Sequence, residues 1–166
     1  MVYISELVGA RQVVLITSRA EAEILGKKVT KDNVMAADWH SPLSFEPLLY
    51  GIVIGKKRYS LGLIKRSKVF CVNFIPYKMR EKAVLCGSYS GEHLDKFAKF
   101  DLEKAECDRI DCARLKNAAA WLECEVVNEL ETGDHVLFVG KVVNSGMQET
   151  GKRLYHITGG KFTTTR

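Results

Sequence analysis

The sequence contains no apolar run of 18 residues, so no transmembrane helix is expected from it. Proline is scarce, at three residues, and there is no Pro-rich or Gly/Ser-rich tract and no internal repeat. Nothing therefore reads as a linker, and the 166 residues are expected to form a single domain over 1–166. Neither sign of charge dominates: 25 Lys/Arg against 20 Asp/Glu leave a net charge of +5, without the clustered Lys/Arg of a nucleic-acid-binding module. That excludes nucleic acid as the expected partner while suiting a small anionic ligand. The five cysteines are odd in number and scattered, which fits a reduced cytoplasmic chain better than a disulfide framework. Cys107 and Cys112 lie five apart, with Cys124 further on, and lack the paired close spacings of a zinc site. They read as small buried hydrophobes, and no metal is expected. The opening "MVYISELVGARQ" carries an acid and no long apolar stretch, so it does not read as a secretory leader.

Catalytic signatures are missing too. There is no Rossmann or P-loop glycine pattern, no Gly-x-Ser-x-Gly, and the four histidines, His40, His93, His135 and His156, are far apart in sequence. Hydrolase chemistry has no local support, and no side chain is marked as an acid, base or nucleophile.

What is present is a series of strands. "QVVLITS" (12–18), "NVMAADWHSP" (33–42), "PLLYGIVIG" (47–55) and "VFCVNFIP" (69–76) read as strands, the first by its run of branched residues. The segment 20–32 is either a hairpin or a short excursion. Ser60 is expected to cap a short helix over "SLGLIKRSK", and "KMREKAVLCGSYS" reads as an amphipathic helix ended by Gly87, followed by a shorter piece over 91–100. Residues 101–118 read as irregular. The alternation at Leu122, Cys124 and Val126 predicts a half-buried strand that turns at "ETGDH" into a second over 136–147, with one more strand in "RLYHITGGKFT". The fold class expected is mainly β (α+β), a small antiparallel β-barrel of six or seven strands with a few short helices.

Three polar clusters adjoin strand ends: "DWHSPLS", "KKRYS" and "GSYSGEHLDKF". Basic groups, hydroxyls and free N–H groups at a helix start are what a phosphate needs. The small Ala36 and Ala37 beside Trp39 leave room for a flat ring to approach the backbone. A phosphorylated planar cofactor has both ends. Cys86, before "GSYSG", reads as a buried thiol and Asp95 as a bracing acid.

The string from "NVMAADWHSPLS" to "VFCVNFIP", followed by "LCGSYSGEHLDKF" and "LECEVVNELETGDHVLFVGKVV", resembles the flavin reductase-like, FMN-binding split β-barrel family of flavoredoxin-like proteins, over roughly residues 10 to 160. The resemblance implies a homodimer of split barrels, each holding one FMN, with NADH, NADPH or another carrier as electron donor. It implies that Ala36, Ala37, Asp38, Trp39, Ser41 and Ser44 line the flavin ring and ribityl chain. Arg58, Tyr59 and Ser60 match the family element expected near the phosphate; Ser90, Gly91, Asp95, Lys96 and Phe97 match its Ser-Gly…Asp-Lys-Phe element, and Asn73 its Val-Asn. His156 is a candidate to face the flavin or a nicotinamide. The chain departs from the pattern at Gly62, where relatives often carry histidine, and at Lys56-Lys57, where they often carry proline or small residues. The function implied is an FMN-dependent oxidoreductase passing electrons to free flavin, a ferric chelate or a redox protein. Two other classes stay open: an FMN carrier or sensor without its own NAD(P)H turnover, and a barrel used only for binding other macromolecules.

Overall fold

The computed structural model describes residues 4–148 and 151–165. In chain order these form α1 (Ile4–Leu7), β1 (Arg11–Gln12), β2 (Val14–Ile24), β3 (Lys27–Ala37), β4 (His40–Phe45), β5 (Leu48–Gly55), α2 (Tyr59–Ser67) and β6 (Val69–Phe74). Then follow α3 (Arg80–Ser88), α4 (Lys96–Lys99), β7 (Lys104–Glu106), β8 (Ala113–Leu115), β9 (Ala120–Thr132), β10 (His135–Met147), β11 (Leu154–Thr158) and β12 (Lys161–Thr164). No helix among them is long and apolar enough to cross a membrane.

Seven strands make one antiparallel sheet in the order β3-β2-β6-β9-β10-β5-β4. Its two outermost strands, β3 and β4, are consecutive in the chain and separated by two residues, Asp38 and Trp39. The chain therefore steps from one edge of the sheet to the other, and the Val53 N–H donates to the Trp39 carbonyl at 2.9 Å, extending the β4–β5 ladder up to the step. This seam closes the barrel. "NVMAADWHSP" is thus two strands on opposite edges rather than the one expected, because a strand cannot turn through the barrel wall without leaving its ladder.

The first half of β2, residues 14–18, is buried on both faces, which is why it reads as a continuous apolar run. Val14 and Ile16 point into the barrel with Ile52, Ile54, Phe70, Val72, Val136 and Phe138, all 0–1% exposed. Val13 and Leu15 point outward into a second core under α3 and α4, with Ile75, Ala83, Cys86, Phe97 and Leu115. Each large side chain buried this way stabilises the fold by about 1.5–3 kcal/mol. Gly140, at a register shift in β10, makes room inside the barrel: a Cβ there would lie 2.6 Å from Phe70 Cζ.

The segment 20–32 is a hairpin, turning at Leu25 and Gly26, both at positive φ (52° and 74°) as a tight two-residue turn requires. Ser60 lies inside α2 rather than capping it; the N-cap is Arg58 and makes no side-chain cap bond. Gly87 does not end α3, which runs on to Ser88. The stretch 101–118 contains the β7–β8 hairpin, and the C-terminal strand is a pair, β11–β12, joined to β1 in a separate three-stranded sheet. Short strands such as these escape a periodicity reading because three residues span less than two periods.

Candidate functional site

Three adjoining hollows run along the outer edge of β3, with volumes of about 280, 240 and 550 Å³. Ala36 and Arg58 line all three, so the hollows form one trough. β3 is an edge strand at this point because its neighbour beyond the seam has left the ladder. Val34 turns its carbonyl outward to Lys96, and the two-residue period of the strand then turns the N–H and C=O of Ala36 outward as well. The trough therefore offers one exposed backbone donor and acceptor over a small side chain. Gly87 of α3 faces it, close enough that a Cβ there would touch Ala36 Cβ at 3.5 Å.

The first hollow is basic. Lys57, Arg58, Lys96, Asn33, Ser60, Ser88 and Ser90 line it, and no carboxylate does. Lys96 is 4% exposed and donates only to carbonyls, Val34 O at 2.9 Å and Cys86 O at 2.7 Å. Burial pushes its pKa below the usual lysine value, and the Arg58 charge acts in the same direction. An ammonium has three donors, so one remains beyond the two carbonyls. Asn33, 3% exposed, donates to Ser60 Oγ at 2.8 Å, and its Oδ1 has no partner. The uncapped start of α2 adds the positive end of a helix dipole. Three cations, a helix start and hydroxyls without a carboxylate are the groups that suit an anion.

The position of Lys96 is set by its neighbours. Asp95 caps α4 by accepting from the N–H groups of Phe97 and Ala98 at 2.9 and 3.2 Å. Phe97 enters the outer core at 3% exposed and lines none of the three hollows. The expected ligand role of Phe97 is corrected to anchoring α4, so that Lys96 is drawn under β3. Gly91 is buried against Asn33, and a Cβ there would overlap the Asn33 amide oxygen.

The middle hollow is bounded by Met35, Ala37, Asp38, Trp39, Val53, Gly55 and His135. Trp39, 40% exposed, stacks on His135 at 4.9 Å between ring centres with 24° between planes. The third hollow lies between the seam, α3 and the C-terminal hairpin, with Val13, Ala83, Val84, His156, Gly159, Gly160 and Phe162 on its walls. Asp38 ties that hairpin to the seam. It accepts from Arg11 Nε at 3.1 Å and faces His156 Nδ1 at 2.7 Å.

Of the residues expected from the sequence, Ala36, Ala37, Asp38, Trp39, Arg58, Tyr59, Ser60, Ser90, Gly91, Lys96 and His156 line the trough. Asn73 does not. It is fully buried, donates to Leu15 O at 2.9 Å and accepts from Leu115 N at 2.8 Å, so it braces β2 and β8 inside the protein. Ser41 and Ser44 do not either: both sit on β4, across the seam, and the Ser41 hydroxyl turns to Pro42 O at 3.0 Å. Sequence reasoning missed Asn33, His135 and Phe162, and left Lys57 of the "KKRYS" cluster out of the candidate residues. Asn33 stood at the start of the quoted stretch, and a polar side chain three residues before Ala36 carried the signal; His135 and Phe162 come from distant elements.

A family model described as the flavin reductase like domain matches residues 9–165. The chain belongs to that family. Among curated relatives, an uncharacterized protein from Archaeoglobus fulgidus is 41% identical over 116 residues, covering 70% of this chain and 66% of the relative's own length. Among solved structures, flavoredoxin from Methanosarcina acetivorans superposes with a TM-score of 0.83 at 25% identity, over 100% of this chain and 90% of the other. The FMN-binding protein from Thermus thermophilus, with bound p-hydroxybenzaldehyde, gives 0.83 at 25% identity, over 96% of this chain and 88% of that one. The family membership and the split-barrel fold are thereby shown, and the chain spans about two thirds or less of the length of the curated relatives it matches.

Proposed function

We propose that this flavin reductase-like domain binds FMN along the trough and acts as an oxidoreductase, taking electrons from NADH, NADPH or another carrier and passing them to free flavin, a ferric chelate or a redox protein. The observation that carries this reading is Lys96, a buried ammonium held only by carbonyls at the floor of a carboxylate-free hollow. A buried charge without a counter-charge is costly, and an anionic ligand group offsets that cost. FMN-binding proteins and flavoredoxin among the structural neighbours favour a flavin phosphate as that group.

The residues present fit the group. Lys96, Arg58, Ser60 and Ser90, with the start of α2, would hold the phosphate. Ala36 and Ala37 would let the ring lie against the strand edge, and Asp38, Trp39 and His156 would border it. When bound, FMN supplies a ring that takes up two electrons and hands them on. The protein contributes position, the Trp39–His135 stack as a border of the ring's slot, and the outward N–H of Ala36 as a fixed dipole. No side chain acts as acid or base in this scheme.

A second copy of the chain is the proposed partner. Leu43, Phe45 and Leu48 around the β4–β5 turn are 46%, 94% and 42% exposed, an apolar patch on an edge strand. Light scattering that gives the monomer mass at micromolar concentration removes this part of the proposal.

Titration with FMN and riboflavin, followed by anaerobic addition of NADH and NADPH, tests the whole. Saturable FMN binding with bleaching by either nicotinamide supports the oxidoreductase. Binding without bleaching by either donor, or by reduced ferredoxin, leaves a flavin carrier. A chain that takes up no FMN rules the proposal out.

A further inference from the structure

Away from the trough, three thiols converge under the β7–β8 hairpin. The ladder pairs Lys104 with Leu115, Ala105 with Arg114 and Glu106 with Ala113. Continued by one step, it sets Cys107 directly opposite Cys112, and the Cys107 N–H donates to the Cys112 carbonyl at 3.0 Å. Directly opposed residues of an antiparallel pair carry their side chains on the same face, with Cβ atoms about 4.5–5.5 Å apart, within roughly an ångström of the disulfide range. Cys71 of β6 completes the cluster with Ile110.

The cluster is built rather than incidental. The loop from Asp108 to Asp111 that joins the two cysteines is pinned at its start by Glu123, which is fully buried and accepts from Asp108 N at 3.0 Å and Arg109 N at 2.7 Å. Arg19 clamps both sides of the same hairpin, reaching Glu106 at 2.7 Å and Asp111 at 2.9 Å. These contacts hold the sulfurs of Cys107 and Cys112 on the same side of a short loop. Access differs within the cluster: Cys71 and Cys112 are buried, and Cys107 is partly exposed. With the Cys112 and Cys71 thiols beside it and Arg114 near, Cys107 is held below the usual thiol range, while its two neighbours are held above it. The thiolate is the reactive form, so the one sulfur that solvent reaches is also the one prepared to react.

We infer that Cys107 and Cys112 form a dithiol–disulfide pair that reacts with low-molecular-weight disulfides. The Cys107 thiolate attacks one sulfur of the external disulfide, whose S–S bond breaks and releases one thiolate. The Cys112 thiol gives its proton to that leaving thiolate and attacks the Cys107 sulfur, which releases the second. The protein is oxidised by two electrons and the external disulfide is reduced to two thiols. The site is independent of the trough and of whether FMN binds there.

The sequence itself supplies the assay, because trypsin cleaves after Lys104, Arg109 and Arg114 and so places Cys107 in 105–109, Cys112 in 110–114 and Cys71 in 69–78. The folded wild-type chain is incubated with glutathione disulfide, blocked with N-ethylmaleimide, digested without reductant and mapped by mass spectrometry. The expected result is peptide 105–109 joined to 110–114, lost on treatment with dithiothreitol. In Cys112→Ser the join is lost and Cys107 carries glutathione instead. A wild-type chain in which Cys107 is joined to 69–78, carries only glutathione, or is fully alkylated by the maleimide overturns the inference.

Discussion

The Lys96 ammonium donates to the carbonyl of Val34 at 2.9 Å, and among the described residues no carboxylate pairs with it. One side chain from a four-residue helix thus satisfies one outward carbonyl of an edge strand and places a buried charge in the trough. Replacing it with a neutral donor separates the two roles. In Lys96→Gln, FMN affinity should fall by roughly 10- to 100-fold, the loss of one charge-assisted hydrogen bond worth about 1.5–3 kcal/mol. Riboflavin, which lacks the phosphate, should bind the variant and wild type alike. Parallel losses for both ligands in fluorescence titrations would place Lys96 outside the phosphate site.

Ala36 lines every part of the trough and packs near Gly87. Ala36→Leu should fill the space a ring would need, and lower FMN affinity by at least about tenfold. Overpacking costs about 1–3 kcal/mol, and here the side chain has open solvent to move into, so the thermal midpoint should shift by only a few degrees, roughly 2–4 °C per kcal/mol. An unchanged titration curve with a lowered midpoint would show that the ring lies elsewhere.

His40 anchors the far side of the seam. Its Nε2 faces the Gln12 carbonyl at 2.8 Å and so must donate, which leaves Nδ1 to accept from the Tyr50 hydroxyl at 2.6 Å. Burial holds its pKa below the ordinary 6.5. The unfolded chain therefore binds a proton that the folded chain refuses, and stability falls as pH drops through about 6.5 toward the lower folded value. His40→Gln should be flatter than wild type over this window in urea melts taken from about pH 7.5 to 5. Identical pH profiles would mean that His40 is not held neutral.

Cys107 should show its thiolate in the pH dependence of alkylation. Its pKa is drawn down to about 5 by the Cys112 and Cys71 thiols, with Arg114 nearby and Glu123 opposing. Iodoacetamide labelling of peptide 105–109 should then hardly change between about pH 6.5 and 8. Over the same range an ordinary thiol would speed up by more than roughly tenfold. A labelling rate that climbs like that of an ordinary thiol would mean the neighbouring thiols do not stabilise the charge.

Much of the barrel was legible because alternation and branched runs survive in long strands: β5, β6, β9 and β10 fall where the pattern of apolar residues places them. Arg58, Ser60 and Lys96 were legible as members of short polar clusters, since hydroxyls and cations beside a helix start carry their chemistry in sequence. The roles of Asn73, Phe97, Ser41 and Ser44 were not. Asn73 looks the same in sequence whether its amide meets a ligand or the backbone of Leu15 and Leu115. Ser41 and Ser44 are near Trp39 along the chain, yet the step at Asp38 and Trp39 carries the chain from one edge of the sheet to the other before they are reached.

Sequence by itself determined the strand content, the small residues at Ala36 and Ala37, and the basic character of the hollow, because these depend on local propensity and residue type. Only the tertiary structure decided where "NVMAADWHSPLS" breaks, which of its residues reach the trough, and that Lys96 lies under β3 without a counter-charge. It also set Cys107 across from Cys112. Lys96 and Val34 stand 62 positions apart, the two cysteines face each other only through the β7–β8 register, and closure of the barrel at Asp38 and Trp39 fixes which sides of the strand edges meet solvent.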